Sequence, residues 1–310
     1  MGRRPAILVH GGAGQWRERY HDAARAGCAA AVRAGLAVLE AGGAALDAVV
    51  AAVRALEDDP VFNAGVGAVL NRRGEVEADA AVMDGVTLGF GAVAAVRNAR
   101  QPIDLARAVL DDGEHVLLCG DGVWEFVRER GWRPCDPAEL ITERARERFE
   151  QARARNRGDV AADPGTVGAV AIDEAGRVAA ATSTGGMSYK RPGRIGDTPL
   201  CGAGTYATPL GAASGTGHGE RFIRALTARR CVEFMGQGMA APDAAHGAIA
   251  ALRADTGGGG GIVCVDADGR LGAALDTDAM AWGAGRAGDP RVLAAIAPRG
   301  RVAIDFDGAG

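Results

Sequence analysis

Apolar positions change their period several times along the chain, and each change marks an element. Ala6 to Val9 is a continuous apolar run of strand length. Between 21 and 41, Ala24, Cys28, Val32, Leu36 and Leu39 recur on one helical stripe, which Gly42-Gly43 brings to an end. A second helix is expected over 45–56, then alternating strands over 75–82 and 88–96. Helices near 103–110 and 121–130 flank the short apolar run Val116 to Cys119. Asp136, Pro137 and Glu139 occupy the N-cap, first-turn and N3 positions of a helix expected over 137–156. Strands at 167–172 and 178–183 form a hairpin over Asp173 to Arg177. Helices at 219–235 and 242–253 follow, and 260–266 with 270–276 form a second hairpin over Asp266-Ala267-Asp268-Gly269. Two strand-rich groups with helices outside predict an α+β fold, compatible with stacked sheets under helix layers.

Composition narrows the partners. Glycine supplies 48 of 310 residues, about twice its usual share, while glycine plus proline stays below the roughly 25% that marks low complexity. The glycines are therefore backbone requirements of turns and tight sites. A net charge of -4 without a block of five like charges excludes the basic footprint of a nucleic-acid binder. Cys28, Cys119, Cys135, Cys201, Cys231 and Cys264 are scattered without a Cys-x-x-Cys pair, which predicts buried, reduced thiols and a cytoplasmic setting. The apolar run before His10 and its glycine turn is too short for a signal peptide. No run approaches the roughly 18 apolar residues of a membrane span.

The candidate chemistry begins in mid-chain. Residues 156–165 contain nothing that could form a core and read as an exposed loop, and Gly165-Thr166 then leads straight into a strand. Cutting between them would place a new α-amine beside the Thr166 hydroxyl, and its reference pKa of about 7.7 to 8.0 suits a base near neutral pH. Gly165, without a Cβ, leaves its carbonyl open to that hydroxyl. Thr184 lies 18 residues later at the far end of the same hairpin, where an even offset brings its hydroxyl beside Thr166. Thr182, on the same strand, serves as a control. Arg194 and Asp197 sit in a proline- and glycine-rich loop. A guanidinium fork and a carboxylate together suit both charges of a free α-amino acid, and they suit each other as a surface ion pair.

Several ordered blocks identify a resemblance. They are His10-Gly11-Gly12-Ala13-Gly14, the segment from Leu56 to Gly67, Met83-Asp84-Gly85, Gly165-Thr166-Val167-Gly168, Ala181 to Met187, Pro192 to Asp197, and Gly215 to Glu220. Through them nearly the whole chain resembles the plant-type L-asparaginases and isoaspartyl peptidases, N-terminal-nucleophile hydrolases. The resemblance implies a four-layer αββα sandwich and one domain over 1–310, self-cut into an α subunit 1–165 and a β subunit 166–310. It implies Thr166 as nucleophile, Thr184 as its support, Thr216 and Gly217 as the oxyanion hole, and Asn63 bonding near the nucleophile. Arg194 and Asp197 would hold the substrate's α-carboxylate and α-amine, with Gly217 and Gly219 in the same subsite. The substrate would be a small molecule, an isoaspartyl dipeptide or L-asparagine. No catalytic cofactor is expected. A structural sodium ion would be held by backbone carbonyls of Leu56, Asp59, Phe62, Ala64 and Val66, and two αβ pairs would form a homodimer. The family commonly has a histidine before the Gly-Thr pair where this chain has Pro164, which bears on the rate of self-cleavage.

The same residues carry other readings. Gly215 to Glu220 ahead of a helix resembles a phosphate cradle, but it lacks the P-loop lysine, and Lys190 is the only lysine in the chain. His218 suggests a Ser/His/Asp scheme that an N-terminal threonine does not need. His10 as a zinc ligand has no nearby partner. Glu57 and Asp59 suit a helix C-terminal turn better than a divalent-metal site. A glycosylasparaginase would usually show Asp-Thr-Ile-Gly at the nucleophile, where this chain has Gly165-Thr166-Val167-Gly168. A nucleotide-binding module and an inactive scaffold are the rivals from other classes.

Overall fold

In the computed structural model, which describes residues 4–156 and 165–306, the first strand does not stop at Val9. Strand β1 runs Ala6–Gly14, carrying the expected glycine turn within the sheet by a break in register between His10 and Ala13. Then come α1 (His21–Glu40), α2 (Ala45–Glu57), β2 (Glu77–Asp84), β3 (Phe90–Arg97), α3 (Pro102–Asp112), β4 (Leu117–Cys119), α4 (Asp121–Val127), α5 (Pro137–Leu140) and α6 (Glu143–Ala154). The second half holds β5 (Val167–Ile172), β6 (Val178–Thr184), β7 (Thr205–Thr208), β8 (Gly211–Gly217), α7 (Gly219–Ala225), α8 (Thr227–Gly236), α9 (Ala241–Thr256), β9 (Gly260–Asp266), β10 (Leu271–Arg286) and β11 (Val292–Arg301). Asp163 and Pro164, and with them most of the expected loop, lie outside the described residues.

The strands form one hydrogen-bonded path, β4-β3-β2-β6-β5-β1-β10-β9-β8-β7, with β11 added on β10. Among the described strands, only β3 and β4 pair in parallel. The path curls back on itself, so that β6 packs against β7 and β8 although several strands separate them in the sheet. Strand alternation then sorts the side chains into layers. Val167, Ala169 and Ala171 of β5 pack under α2 and share a core with its Val49 and Val53 and with Cys28 and Val32 of α1. Val170 and Ile172 face inward and share a core with Leu8, Met83, Ala207, Val263 and Val265. On the far side, Ile262 and Cys264 lie under Cys231, Val232, Ala245 and Ile249 of α8 and α9. The fold is the αββα sandwich of N-terminal-nucleophile hydrolases, with the site at one end of the inner layer.

Burying a side chain such as Leu8 or Val170 contributes about 1.5–3 kcal/mol, enough for this inner layer to carry a few hydroxyls provided they are paired. Those of Thr182, Thr205 and Ser214 are paired: Thr205 Oγ1 donates to Thr182 Oγ1 at 2.7 Å, Thr182 Oγ1 lies 2.8 Å from Ser214 Oγ, and His10 Nε2 lies 2.9 Å from the same Ser214 Oγ.

Several expected elements change. The helix expected over 137–156 is two helices, because two N-caps compete: Asp136 and Glu139 close a capping box on α5, and the Thr142 hydroxyl accepts from Ala145 N at the start of α6. The helix expected over 219–235 breaks at Leu226, whose φ of 47° is left-handed. The strand expected to end at 276 continues to Arg286 through the polar stretch Asp276 to Asp278, and β7, β8 and β11 had no apolar alternation to announce them. Cys28, Cys231 and Cys264 are buried as expected, but Cys119 on the short strand β4 and Cys201 in a turn are exposed. No described helix is long and apolar enough to cross a membrane.

Candidate active site

Antiparallel pairing of β5 with β6 sets Val167 opposite Ser183, which leaves Thr166, one residue before β5, beside Thr184 at the end of β6. The Thr166 hydroxyl donates to Thr184 Oγ1 at 3.1 Å, and the Gly186 N–H donates to the same oxygen at 2.9 Å. With two donors arriving, Thr184 Oγ1 is fixed and its own hydrogen remains free to donate. Thr182, the control, turns into the buried hydroxyl chain described above.

Thr166 forms one wall of a small pocket whose lining also includes Gly165, Thr184, Gly186, Ser188, Arg194, Asp197 and Gly217. Arg194 and Asp197, which the sequence left free to pair with each other, do not take that arrangement. Arg194 donates from Nε and Nη2 to the two carboxylate oxygens of Glu220, both at 2.9 Å. Burial works against the guanidinium charge, but Glu220 outweighs it and the pKa rises further. Asp197 Oδ2 is buried and finds no hydrogen-bond partner among the described residues. Burial raises this carboxyl to about 7, with the Arg194 charge opposing. An orphaned carboxylate oxygen beside a held guanidinium is an arrangement that an ammonium would complete.

The glycines of the site are close-approach positions. A Cβ on Gly219 would stand 2.7 Å from Arg194 Nη2 and 2.9 Å from Asp197 Oδ1, and one on Gly217, at φ 144°, would stand 2.5 Å from Gly260 Cα. Thr216, one residue behind Gly217, is fully buried and its Oγ1 accepts from Ala13 N at 3.2 Å, leaving the hydroxyl hydrogen to point elsewhere. Gly215 N–H donates to Gly204 O and His218 N–H to Gly259 O. The glycine tract thus ends a strand with these two donors in use. Asn63 reaches the site indirectly: its Nδ2 donates to Gly186 O at 2.9 Å, its Oδ1 accepts from Val69 N, and its carbonyl accepts from Gly185 N. It thereby braces the turn that caps Thr184. His10 packs behind the strand bearing Thr166, and burial holds its imidazole neutral, down to about 3.

The loop after α2 folds so that the carbonyls of Pro60 and Phe62 both converge on Gly67, while Val66 N–H donates to Glu57 O at 2.7 Å. Among the described residues, no three His, Cys, Asp or Glu side chains stand together as a metal site. Sequence reasoning missed four groups at the pocket. Glu220 holds Arg194. Ser188 Oγ is buried on the lining without a partner among the described residues, and Glu77 and Asp79 bond the backbone of the Arg194 loop. The even spacing of Glu77 and Asp79 on a predicted strand was the one available signal, since both share a face with residues that must be inside.

Comparison with known proteins agrees with this geometry. The sequence profile of the asparaginase family matches residues 3–293. An isoaspartyl peptidase/L-asparaginase of Xenopus laevis is 44% identical over 284 residues, covering 91% of this chain and 92% of its own. The Homo sapiens isoaspartyl peptidase/L-asparaginase is 41% identical, covering 92% and 94%. The isoaspartyl peptidase of Escherichia coli (strain K12) is 42% identical, covering 90% and 93%. Similarity over nearly the full length, together with a threonine pair at the mouth of an αββα sandwich, means that the chain belongs to the asparaginase family.

Proposed function

We propose that this chain is an N-terminal-nucleophile amidohydrolase that cuts itself between Gly165 and Thr166 and then cleaves β-aspartyl amides, isoaspartyl dipeptides or L-asparagine. The observation that carries the reading is the pocket in which the Thr166 hydroxyl shares a small space with Arg194 and the unpartnered Asp197 Oδ2. Arg194 holds the α-carboxylate and Asp197 the α-ammonium, which leaves the side-chain carbonyl of the aspartyl group facing Thr166. The freed α-amine of Thr166 takes the proton from Oγ1, and Oγ1 attacks that carbonyl. Thr184, itself fixed by Gly186 N–H, holds Oγ1 in line. The Thr216 hydroxyl and Gly217 N–H receive the oxyanion, where one donor is typically worth about 2.7–4 kcal/mol of barrier. The proton passes to the departing amine, and water resolves the threonine ester to aspartate.

The carbonyls of Leu56, Asp59, Phe62, Ala64 and Val66 would hold a sodium ion in a structural role. The donor set supports a monovalent ion, since neutral carbonyls lack the carboxylate charge that calcium or magnesium sites use. The resemblance supports a homodimer of αβ pairs, and the widely scattered free cysteines support a reducing, cytoplasmic setting.

Intact mass over time tests the nucleophile, and leucine release from β-aspartyl-leucine tests the substrate. Wild type should split at 165/166 and Thr166→Ala should remain one chain. Normal hydrolysis by a chain that never splits would overturn the mechanism. Light scattering at micromolar concentration should give the mass of two αβ pairs.

A further inference from the structure

We propose that Lys190 is a positioning residue for substrate recognition, acting on Arg194 through two buried carboxylates of β2. The proposal rests on the reading of Arg194 and Asp197 as the aspartyl clamp. Period-two alternation turns Glu77 and Asp79 to the same face of β2, where both are buried. The Glu77 carboxylate accepts from Gly193 N at 3.1 and 3.3 Å, and Asp79 Oδ2 accepts from Gly196 N at 3.1 Å while its Oδ1 accepts from Ala95 N at 2.8 Å. The backbone on either side of Arg194 is thus tied to two neighbouring side chains of one strand.

Two buried carboxylates on one face of a strand call for a cation nearby, because a buried charge left uncompensated is costly. Lys190 supplies it. The residue is 4% exposed, and Nζ donates to Glu77 O at 2.8 Å. Burial lowers its pKa, and the charges of Asp79 and Glu77 oppose that shift. Nζ also lies 2.9 Å from where a Cβ on the pocket-lining Gly186 would stand, so the ammonium fills the space directly behind the site. Without it the buried carboxylates lose a compensating charge and Glu77 O loses its donor, and the Gly193–Gly196 segment that they hold loosens. Arg194 then meets the substrate in the wrong place, while the Thr166–Thr184 hydrogen bond, set by the pairing of β5 with β6, stays in register.

The test uses the full chain. Lys190→Met should self-cleave to completion, raise KM for β-aspartyl-leucine about tenfold or more and change kcat by less than about threefold, since one misplaced ionic contact is worth at least that factor. The double variant Lys190→Met/Glu77→Gln should recover at least about threefold of the KM loss, because the glutamine oxygen still accepts from Gly193 N and one uncompensated charge is gone. Should Lys190→Met fail to fold, Glu77→Gln alone, nearly isosteric, should raise KM with processing intact. An unchanged KM in these variants overturns the proposal. So does a parallel loss of processing, kcat and KM, or a double variant no better than the single. Wild type inactive on β-aspartyl-leucine would instead overturn the functional reading.

Discussion

Arg194 and Glu220, 26 positions apart, meet edge to edge: Nε and Nη2 of the guanidinium each lie 2.9 Å from one carboxylate oxygen. The pair fixes the plane of the arginine and leaves Nη1 toward Gly186 and Gly196, both on the pocket wall. The Glu220 side chain is 45% exposed, so the pair adds under about 1 kcal/mol to stability. Its worth lies in orientation. Glu220→Ala should shift the melting temperature little and raise KM for β-aspartyl-leucine about tenfold, with Arg194→Ala worse. Equal, small effects of both variants on KM would remove Glu220 from recognition.

Thr184 is the only side chain seen to bond the Thr166 hydroxyl among the described residues. Thr184→Ala should lower kcat by about 10²-fold, the cost of a misplaced nucleophile, while Thr184→Ser, which keeps the oxygen, should lose far less. Single-turnover acylation rates decide the matter, and equal rates for the two variants would refute the role.

The raised pKa of Asp197, about 7, has opposite consequences for stability and for binding. The folded carboxyl holds a proton that the unfolded chain, at about 3.9, has lost. The group's contribution to stability is therefore complete below about pH 4 and is lost as the pH rises through about 7. Binding of an ammonium needs the ionised form, so L-aspartate should bind more weakly as the pH falls below about 7 and should release a proton on binding there. Calorimetry in buffers of different ionisation heat measures both. A pH-independent Kd without proton release would show that Asp197 does not meet the amine.

Gly219 has no room for a methyl group between Arg194 Nη2 and Asp197 Oδ1. Gly219→Ala should spread the two clamp residues and raise KM at least about tenfold, since each group left unpaired costs about 1–3 kcal/mol. Self-cleavage should proceed normally. A variant with wild-type KM would mean that the clamp lies elsewhere.

Isomer choice follows from the same pair. β-Aspartyl-leucine keeps both α-groups free, whereas α-aspartyl-leucine has spent its α-carboxylate on the peptide bond and shifts the reacting carbonyl by one carbon. The lost Arg194 contact costs about tenfold or more and the misalignment about a further hundredfold. Comparable kcat/KM values for the two isomers would falsify the clamp.

The elements with strong local signals were legible from residues alone. The α1 stripe from Ala24 to Leu39, the capping box at Asp136 and Glu139, and the hairpin that carries Thr166 and Thr184 all depend on contacts within a few residues or across one turn. The chemical types needed at the site could also be read there, because Gly165-Thr166 before a strand and an arginine with an aspartate in a glycine-rich loop are short-range patterns.

What the tertiary structure alone decided is which of these residues meet. Strands β7, β8 and β11 are built from Gly, Ala, Ser and Thr or from partly exposed apolar residues, and they become strands because neighbours supply their hydrogen bonds. That pairing brings the Thr216-Gly217 segment alongside Thr166, 50 residues away in sequence from Thr216, and it gives Arg194 a partner in Glu220 instead of Asp197. It also buries Lys190 against Glu77 and leaves Asp197 Oδ2 unpaired. Charge pairing and pKa depend on burial and on distances of a few ångströms between segments remote in sequence. Only the closed sandwich sets those distances.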